Sequence, residues 1–226
     1  MIPNIATVIP AAGVGKRMQA DRPKQYLDLC GATVLEQTVR RLQQVSVLQQ
    51  FYIAVSPDDP YFPALSFLQQ GCFQRVQGGT ERANSVLNAL QQINAEQYPW
   101  VLVHDAARPV VRLADVQMLI EHCLAQNVGG ILATPVRDTM KRGTSQIEQT
   151  VERSGLWHAY TPQLFPTAML RDVLERALAA GVAVTDEASA MEWAGHPVLL
   201  VPGHADNIKI TQAEDLALAR FYLERN

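Results

Sequence analysis

Apolar residues gather along this chain in two rhythms. Short unbroken runs, IATVI (5–9), FYIAV (51–55), WVLVH (100–104), GILATPV (130–136) and PVLLVP (197–202), are β-rich and suit strands of a mostly parallel sheet covered on both faces. Between them the period lengthens. In TVLEQTVRRLQQV (33–45), Val34, Leu35, Val39, Leu42 and Val45 recur at helical spacing, and Thr33 with Glu36 gives a capping-box start. The same device, Thr211 with Glu214, opens a terminal helix whose apolar face is Leu216, Leu218, Ala219, Tyr222 and Leu223. The alternation predicts an α/β fold, a mostly parallel sheet covered on both faces, in a single domain spanning 1–226. One stretch interrupts it. Residues 137–157 are largely polar, carry a Gly-Thr-Ser turn at 143–145 and alternate from Gln146 to Val151, which predicts a β-hairpin projecting from the core.

Composition narrows the function classes. The chain has 226 residues, 48% of them hydrophobic, enough for one substantial core. Nineteen Lys and Arg against 22 Asp and Glu give a net charge of −3, which argues against generic nucleic-acid binding. No apolar stretch approaches the ~18 residues of a membrane span, and the N-terminus lacks a signal-peptide plan. Cys30, Cys72 and Cys123 are odd in number and far apart, with no zinc-like spacing, so a packing role in a reducing cytoplasm is expected.

Candidate chemistry begins directly after the first apolar run, in IPAAGVGKRMQADRPKQY (9–26). Met18 stands where a dinucleotide fingerprint needs its third glycine, and no Gly-Lys-Ser/Thr follows for a P-loop. Small residues from Ala11 to Gly15 still allow backbone N–H groups to approach an anion, with Lys16, Arg17 and Lys24 supplying charge. In open α/β sheets ligands bind beyond the carboxyl ends of strands, so Gly13 to Arg17 and HDAARP (104–109) should face one crevice. GGTERANSV (78–86) offers a third loop, able to hold a nucleotide base, with Arg82 and Ser85 beyond the paired glycines. Asp105 beside cations at a phosphate site suits a magnesium ion. His104 is expected to pack or to satisfy a local hydrogen bond, and no nucleophilic triad can be assembled. NIKIT (207–211) reads as a short strand centred on a snorkelling Lys209, and TDEAS (185–189) as a helix start capped by Thr185 or Asp186, with Glu187 favourable to the dipole.

Taken in order, AAGVGKRM, PKQY, GGTERANSV, VHDAARP, TPQLF (161–165), TDEAS and NIKIT resemble the 2-C-methyl-D-erythritol 4-phosphate cytidylyltransferases of the non-mevalonate isoprenoid pathway, over nearly the whole chain. Thr80 and Ala89 depart from the residues often seen there. The resemblance implies a doubly wound, nucleotide-diphospho-sugar-transferase-like (Rossmann-like) sheet and a homodimer in which each hairpin arm reaches the other subunit's active site. It implies CTP and a polyol phosphate as substrates, joined by in-line attack of the acceptor's phosphate on the α-phosphate of CTP. A phosphate monoester is already largely dianionic at neutral pH, so no protein base is required and catalysis rests on positioning and cations. Arg17 and Lys24, with Mg²⁺ and loop amides, would stabilise the transition state. Lys209 and the partner's Arg153 would hold the acceptor's phosphate, with Thr139, Thr161, Asp105, Ala106 and Arg108 completing that pocket. Ala11, Ala12, Gly13, Gly15, Gly79, Arg82 and Ser85 would surround the nucleotide, leaving larger purines poorly accommodated. Three other readings remain open at this point: a ribitol-5-phosphate cytidylyltransferase, a sugar-1-phosphate nucleotidyltransferase, and a nucleotide-binding module without turnover.

Overall fold

The structure, a computed structural model, describes residues 2–13, 18 and 21–225. Gly15, Lys16 and Arg17 of the opening loop lie outside the described residues. In chain order the elements are β1 (Ile5–Pro10), a short pair β2 (Asp28–Leu29) and β3 (Ala32–Thr33), α1 (Val34–Leu42), β4 (Leu48–Val55), β5 (Phe73–Gln77) and α2 (Arg82–Leu90). There follow β6 (Trp100–Val103), α3 (Leu113–Gln126), β7 (Gly130–Pro135), β8 (Met140–Gly143), β9 (Ile147–Val151) and β10 (Trp157–Pro166). The last are α4 (Thr167–Ala179), α5 (Glu187–Trp193), β11 (Leu199–Pro202) and α6 (Ala213–Leu223).

Among the described residues the main sheet has seven strands in the order β11-β7-β10-β6-β1-β4-β5. β10 runs antiparallel to both β6 and β7, and the remaining pairings are parallel. Strand alternation sends side chains to two apolar layers. Ile5 and Ile9 pack with Leu35, Val39 and Leu42 of α1 and with Val116, Leu119 and Ile120 of α3. Ala6 and Val8 pack on the opposite face, with Val86 and Leu90 of α2 and Leu170, Val173 and Leu174 of α4. The sheet is therefore doubly wound, with both faces covered as the alternation of runs predicts. Two strands were not legible. β5 (FQRVQ) is mostly polar and β10 is a Pro-containing edge-like sequence, so neither shows an apolar run.

The cap of α1 is as predicted: the Glu36 amide donates to Thr33 Oγ1 at 3.1 Å, and the Thr33 amide donates to Glu36 Oε2 at 2.8 Å. Ser66 adds two donors to Glu36 Oε1, from N at 3.0 Å and from Oγ at 2.6 Å. Burial works to raise the pKa of Glu36, but these donors outweigh it and hold it down at about 2.

The terminal helix needs correction. α6 begins one residue later than the Thr211–Glu214 signature implies. Gln212 is the N-cap and Asp215 takes the acidic role, accepting from the Thr211 and Gln212 amides at 2.7 and 2.8 Å. Leu218 is 41% exposed, so the packed face narrows to Leu216, Ala219, Tyr222 and Leu223, seated on Val34, Val110 and Ile210. NIKIT is not a strand either. Residues 207–211 join no ladder, and their backbone is held by the side chains of Arg108, Lys24 and Asp215 and by a backbone bond from the Ile210 amide to the Ala107 carbonyl. The cysteines divide by position: Cys123 is buried and Cys72 half-buried, as packing residues would be, but Cys30 is exposed in a turn at φ +54°.

The hairpin stands where predicted. β8 and β9 pair antiparallel with each other in a separate two-stranded sheet, with Ile147 69% exposed. Its base is closed by the Val136 amide donating to the Leu156 carbonyl at 2.9 Å and by the Arg153 guanidinium donating to the Arg137 carbonyl. No helix among the described residues is long and apolar enough to cross a membrane.

Candidate active site

Loops following β1, β5, β6 and β11 converge at one end of the sheet, where a register shift in β10 between Ala159 and Gln163 adds Thr161. Two adjoining clefts open there. The larger, about 200 Å³ and open to solvent, is bounded by the opening loop, the paired-glycine loop and the segment after β6. The smaller, about 180 Å³, lies between the β10 bulge and the start of α5. Arg82, Asp105 and Lys209 line both, so they form a shared wall.

Close backbone approach shapes the larger cleft. A Cβ on Gly78 would lie 2.3 Å from Ala12 Cβ and 3.1 Å from the Val55 carbonyl oxygen. Glycine there lets the first and third loops meet. A Cβ on Gly79 would lie 2.3 Å from Asn84 Cβ, so α2 can begin immediately beneath the loop. Ser85 Oγ accepts from the Gly79 amide at 3.0 Å and donates to the Glu81 carbonyl at 3.1 Å, which fixes that turn. The two departures are quiet: Thr80 donates to Asn84 Oδ1 at 3.2 Å, and Ala89 is buried under the sheet. Gln25, buried within PKQY, donates from Nε2 to the carbonyls of Ala11 and Gly13 at 2.6 and 3.1 Å. Lys24 Nζ donates to the Ile210 carbonyl at 2.7 Å and so ties the opening loop to the Lys209 segment.

The wall is an alternating chain of charge. Asp105 accepts from Arg82 Nε at 2.9 Å on one oxygen and pairs with Lys209 Nζ at 2.7 Å on the other, with Arg108 Nε at 3.6 Å. Burial alone would raise the Asp105 pKa, but Arg82, Lys209 and Arg108 outweigh it and hold the carboxylate ionised, well below its usual range. Behind the wall, Glu187 is 0% exposed and takes both terminal nitrogens of Arg82, at 2.7 and 3.1 Å. Desolvation works to lower the Arg82 pKa, and Glu187 and Asp105 reverse that, so it lies above the ordinary value.

His104 is structural, as expected. Its Nε2 faces the Arg108 carbonyl at 3.0 Å, which can only accept, so Nε2 carries the proton and Nδ1 accepts from Thr161 Oγ1 at 3.1 Å. Complete burial favours the neutral ring and lowers its pKa to about 4. The Thr161 hydroxyl also accepts from the Asp105 amide at 3.0 Å, which fixes the aspartate's backbone. Arg108 stacks over Tyr160 at 5.0 Å and donates to the Asn207 carbonyl at 2.6 Å, while Asn207 Nδ2 donates to the Thr161 carbonyl at 2.8 Å.

Of the residues singled out from sequence, Ala11, Ala12, Gly13, Lys24, Gly79 and Ser85 line the larger cleft, as does Ala106. Arg108 and Thr161 line the smaller. Thr139 and Arg153 are exposed at the hairpin base and line neither cleft. As a magnesium seat, the donor set is sparse. Both oxygens of Asp105 are engaged by cations, and no group of three or more His, Cys, Asp or Glu among the described residues could hold a metal. A magnesium ion fits here only if phosphate oxygens and water supply most of its ligands, as they commonly do. Sequence reading missed Gln25, Asn207 and the pairing of Glu187. Their only local signals, a glutamine after PK, an asparagine before IKIT and an acid in a first helical turn, carry simpler explanations.

The profile of the family described as 2-C-methyl-D-erythritol 4-phosphate cytidylyltransferase matches residues 5–225. A protein of that name from Vibrio vulnificus (strain CMCP6) is 56% identical over 226 residues, covering 98% of this chain and 95% of the relative. The Vibrio cholerae protein of that name is also 56% identical, covering 99% and 97%. Among solved structures, a 4-diphosphocytidyl-2C-methyl-D-erythritol synthase superposes with a TM-score of 0.85 at 36% identity, covering 99% of both chains. The Francisella tularensis 2-C-methyl-D-erythritol 4-phosphate cytidylyltransferase gives 0.85 at 34%, covering 97% and 99%. The match runs from β1 to the end of α6 and takes in the loops that build both clefts, and the chain belongs to the 2-C-methyl-D-erythritol 4-phosphate cytidylyltransferase family.

Proposed function

We propose that this protein is a nucleotidyltransferase that joins CTP to 2-C-methyl-D-erythritol 4-phosphate, forming 4-diphosphocytidyl-2-C-methyl-D-erythritol and pyrophosphate in isoprenoid precursor biosynthesis. An oxygen of the acceptor's phosphate attacks the α-phosphorus of CTP, and the bond to the β-phosphate breaks. The observation that carries this reading is the pair of clefts with the common wall of Arg82, Asp105 and Lys209. A nucleoside triphosphate in one and a phosphorylated polyol in the other would meet at that wall.

The acceptor phosphate, with a second pKa near ~6, arrives largely dianionic, so no general base is needed. This agrees with a neutral, buried His104. The task is to hold two anions in line while charge builds on the α-phosphate and the leaving pyrophosphate. Lys24 and Arg17 stabilise that charge, and Lys209 holds the acceptor's phosphate while Asp105 fixes the lysine's position. The small residues Ala11, Ala12 and Gly79 leave room for a pyrimidine beside backbone groups. Asp105 is the residue that would hold a magnesium ion, which would supply Lewis-acid neutralisation of the phosphate oxygens when bound. The protein acts as a homodimer in which the exposed hairpin carries Thr139 and Arg153 into the partner's acceptor pocket. The free thiols of Cys30, Cys72 and Cys123 support a reducing, cytoplasmic setting.

The test is pyrophosphate release from the purified protein with CTP and magnesium, in parallel with methylerythritol 4-phosphate, ribitol 5-phosphate and no acceptor. Release with the first alone is expected. Release with ribitol 5-phosphate alone would keep the chemistry and reassign the acceptor, and silence in all arms would defeat turnover. Arg17→Ala and Lys24→Ala should each lower kcat by about 10²–10³, whereas Lys209→Ala should also raise the acceptor KM.

A further inference from the structure

Glu187 presents an oddity that the reaction as described leaves unused. It is a fully buried carboxylate that lines neither cleft. A buried charge requires a partner, and here the partner is the fork of Arg82. Arg82 in turn spends its Nε–H on Asp105, and Asp105 holds Lys209 with its other oxygen. Three of the guanidinium's five N–H donors are thus committed to carboxylates. Arg82 faces two negative groups and works as a tie within the protein rather than as an unengaged cation for phosphate.

The position of Glu187 is itself fixed. Asp186 caps α5 by accepting from the Ser189 amide at 2.9 Å. Gln163, two residues beyond Thr161 on β10, donates to Asp186 Oδ2 at 2.9 Å and accepts from the Ala188 amide at 2.9 Å. The first turn of α5 is therefore locked to the strand that forms the acceptor pocket. From this rigid base the order of charge is Glu187, Arg82, Asp105, Lys209, alternating in sign at each step.

We infer that Glu187 is a positioning residue for the transfer reaction, acting through Arg82 and Asp105 to hold Lys209 at the boundary between the two clefts. Without its charge, the Arg82 fork loses its fixed end and no longer holds its Nε–H steadily on Asp105. Asp105 then keeps Lys209 and Arg108 but loses its tie on the other oxygen. The acceptor's phosphate is held less well, and CTP is affected less. This inference rests on the cytidylyltransferase reading above.

The test uses the full-length protein, with CTP and methylerythritol 4-phosphate varied separately and thermal melts run alongside. Glu187→Gln should lower kcat/KM for the acceptor by about 10–100-fold, with the CTP KM little changed. In an Arg82→Met background, adding Glu187→Gln should cost no further activity, because the path through Arg82 is already cut. That double variant also removes both buried charges, so it is suited to folding. Should Glu187→Gln alone fail to fold, Glu187→Asp keeps the charge with a shorter reach and should show the same acceptor-specific loss in a protein whose melt is still cooperative, at a lowered melting temperature. Normal constants in a folded single variant, a loss shared equally by both substrates, or a full additional loss in the Arg82→Met background would overturn the assignment. A wild type silent with every acceptor would instead defeat the cytidylyltransferase reading.

Discussion

At Gly78 the difference between a hydrogen and a methyl group decides whether two loops can meet. The added carbon of Gly78→Ala would sit 2.3 Å from Ala12 Cβ, with the Val55 backbone closing the other side. The opening loop must then retreat from α2, and the larger cleft widens where the nucleotide base is proposed to lie. The CTP KM should rise about 10-fold or more, since small displacements at a site cost rate steeply, while the acceptor KM changes less. Equal effects on both substrates would show that the contact is general scaffolding. Small residues in AAG and GG are legible in sequence as a close-approach signal. Which two glycine-rich segments approach each other is not, because Ala12 and Gly78 lie on different loops that only the pairing of β1 with β4 and of β4 with β5 brings together.

Among the elements, the cap of α1 and the hairpin were readable because their signals lie within a few residues, whereas the same signature placed the start of α6 one residue early. Thr33 and Glu36 are three apart, and the 143–145 turn with its flanking alternation is self-contained. The Lys209 segment defeated the same logic. Its β-branched alternation suggests a strand, yet residues 207–211 gain their order from the Arg108 donor, the Asn207 amide and the Ile210–Ala107 backbone bond at 2.8 Å. The hairpin also carries a prediction at this scale. A lone two-stranded ribbon is marginally stable in water, and an exposed Ile147 on it asks for cover. Sedimentation should give twice the 25.0 kDa mass of the chain, and replacing residues 141–150 by a short polar turn should weaken the association without lowering the melting temperature of the monomer. A monomeric intact chain would rule out arm exchange.

For the whole molecule, stability should depend on pH in a direction set by buried groups. His104 titrates at about 4 when folded, against an ordinary 6.5. Between those values the unfolded chain binds the additional proton, so stability is full above about pH 7 and falls as pH drops toward 4. Glu36 at about 2 and the depressed Asp105 extend the loss below the ordinary carboxylate range. Urea midpoints measured from pH 7.5 to 5 should therefore decline in the wild type and flatten in His104→Gln; a flat wild-type profile would count against the buried neutral ring. The α/β class, with a mostly parallel sheet covered on both faces, was determined by sequence alone, through the alternation of apolar runs with helical periods, as were two loops at strand ends, a third ahead of a helix, and the basic, glycine-rich character of the opening loop. These follow from periodicity and turn chemistry, which act over short spans of chain. Tertiary structure alone decided the insertion of antiparallel β10 between β6 and β7, the shared wall of the two clefts, and the tie from Arg82 to Glu187 across 105 residues. Those depend on which distant segments can close on one another and still leave every buried charge with a partner, a condition that no short window of sequence contains.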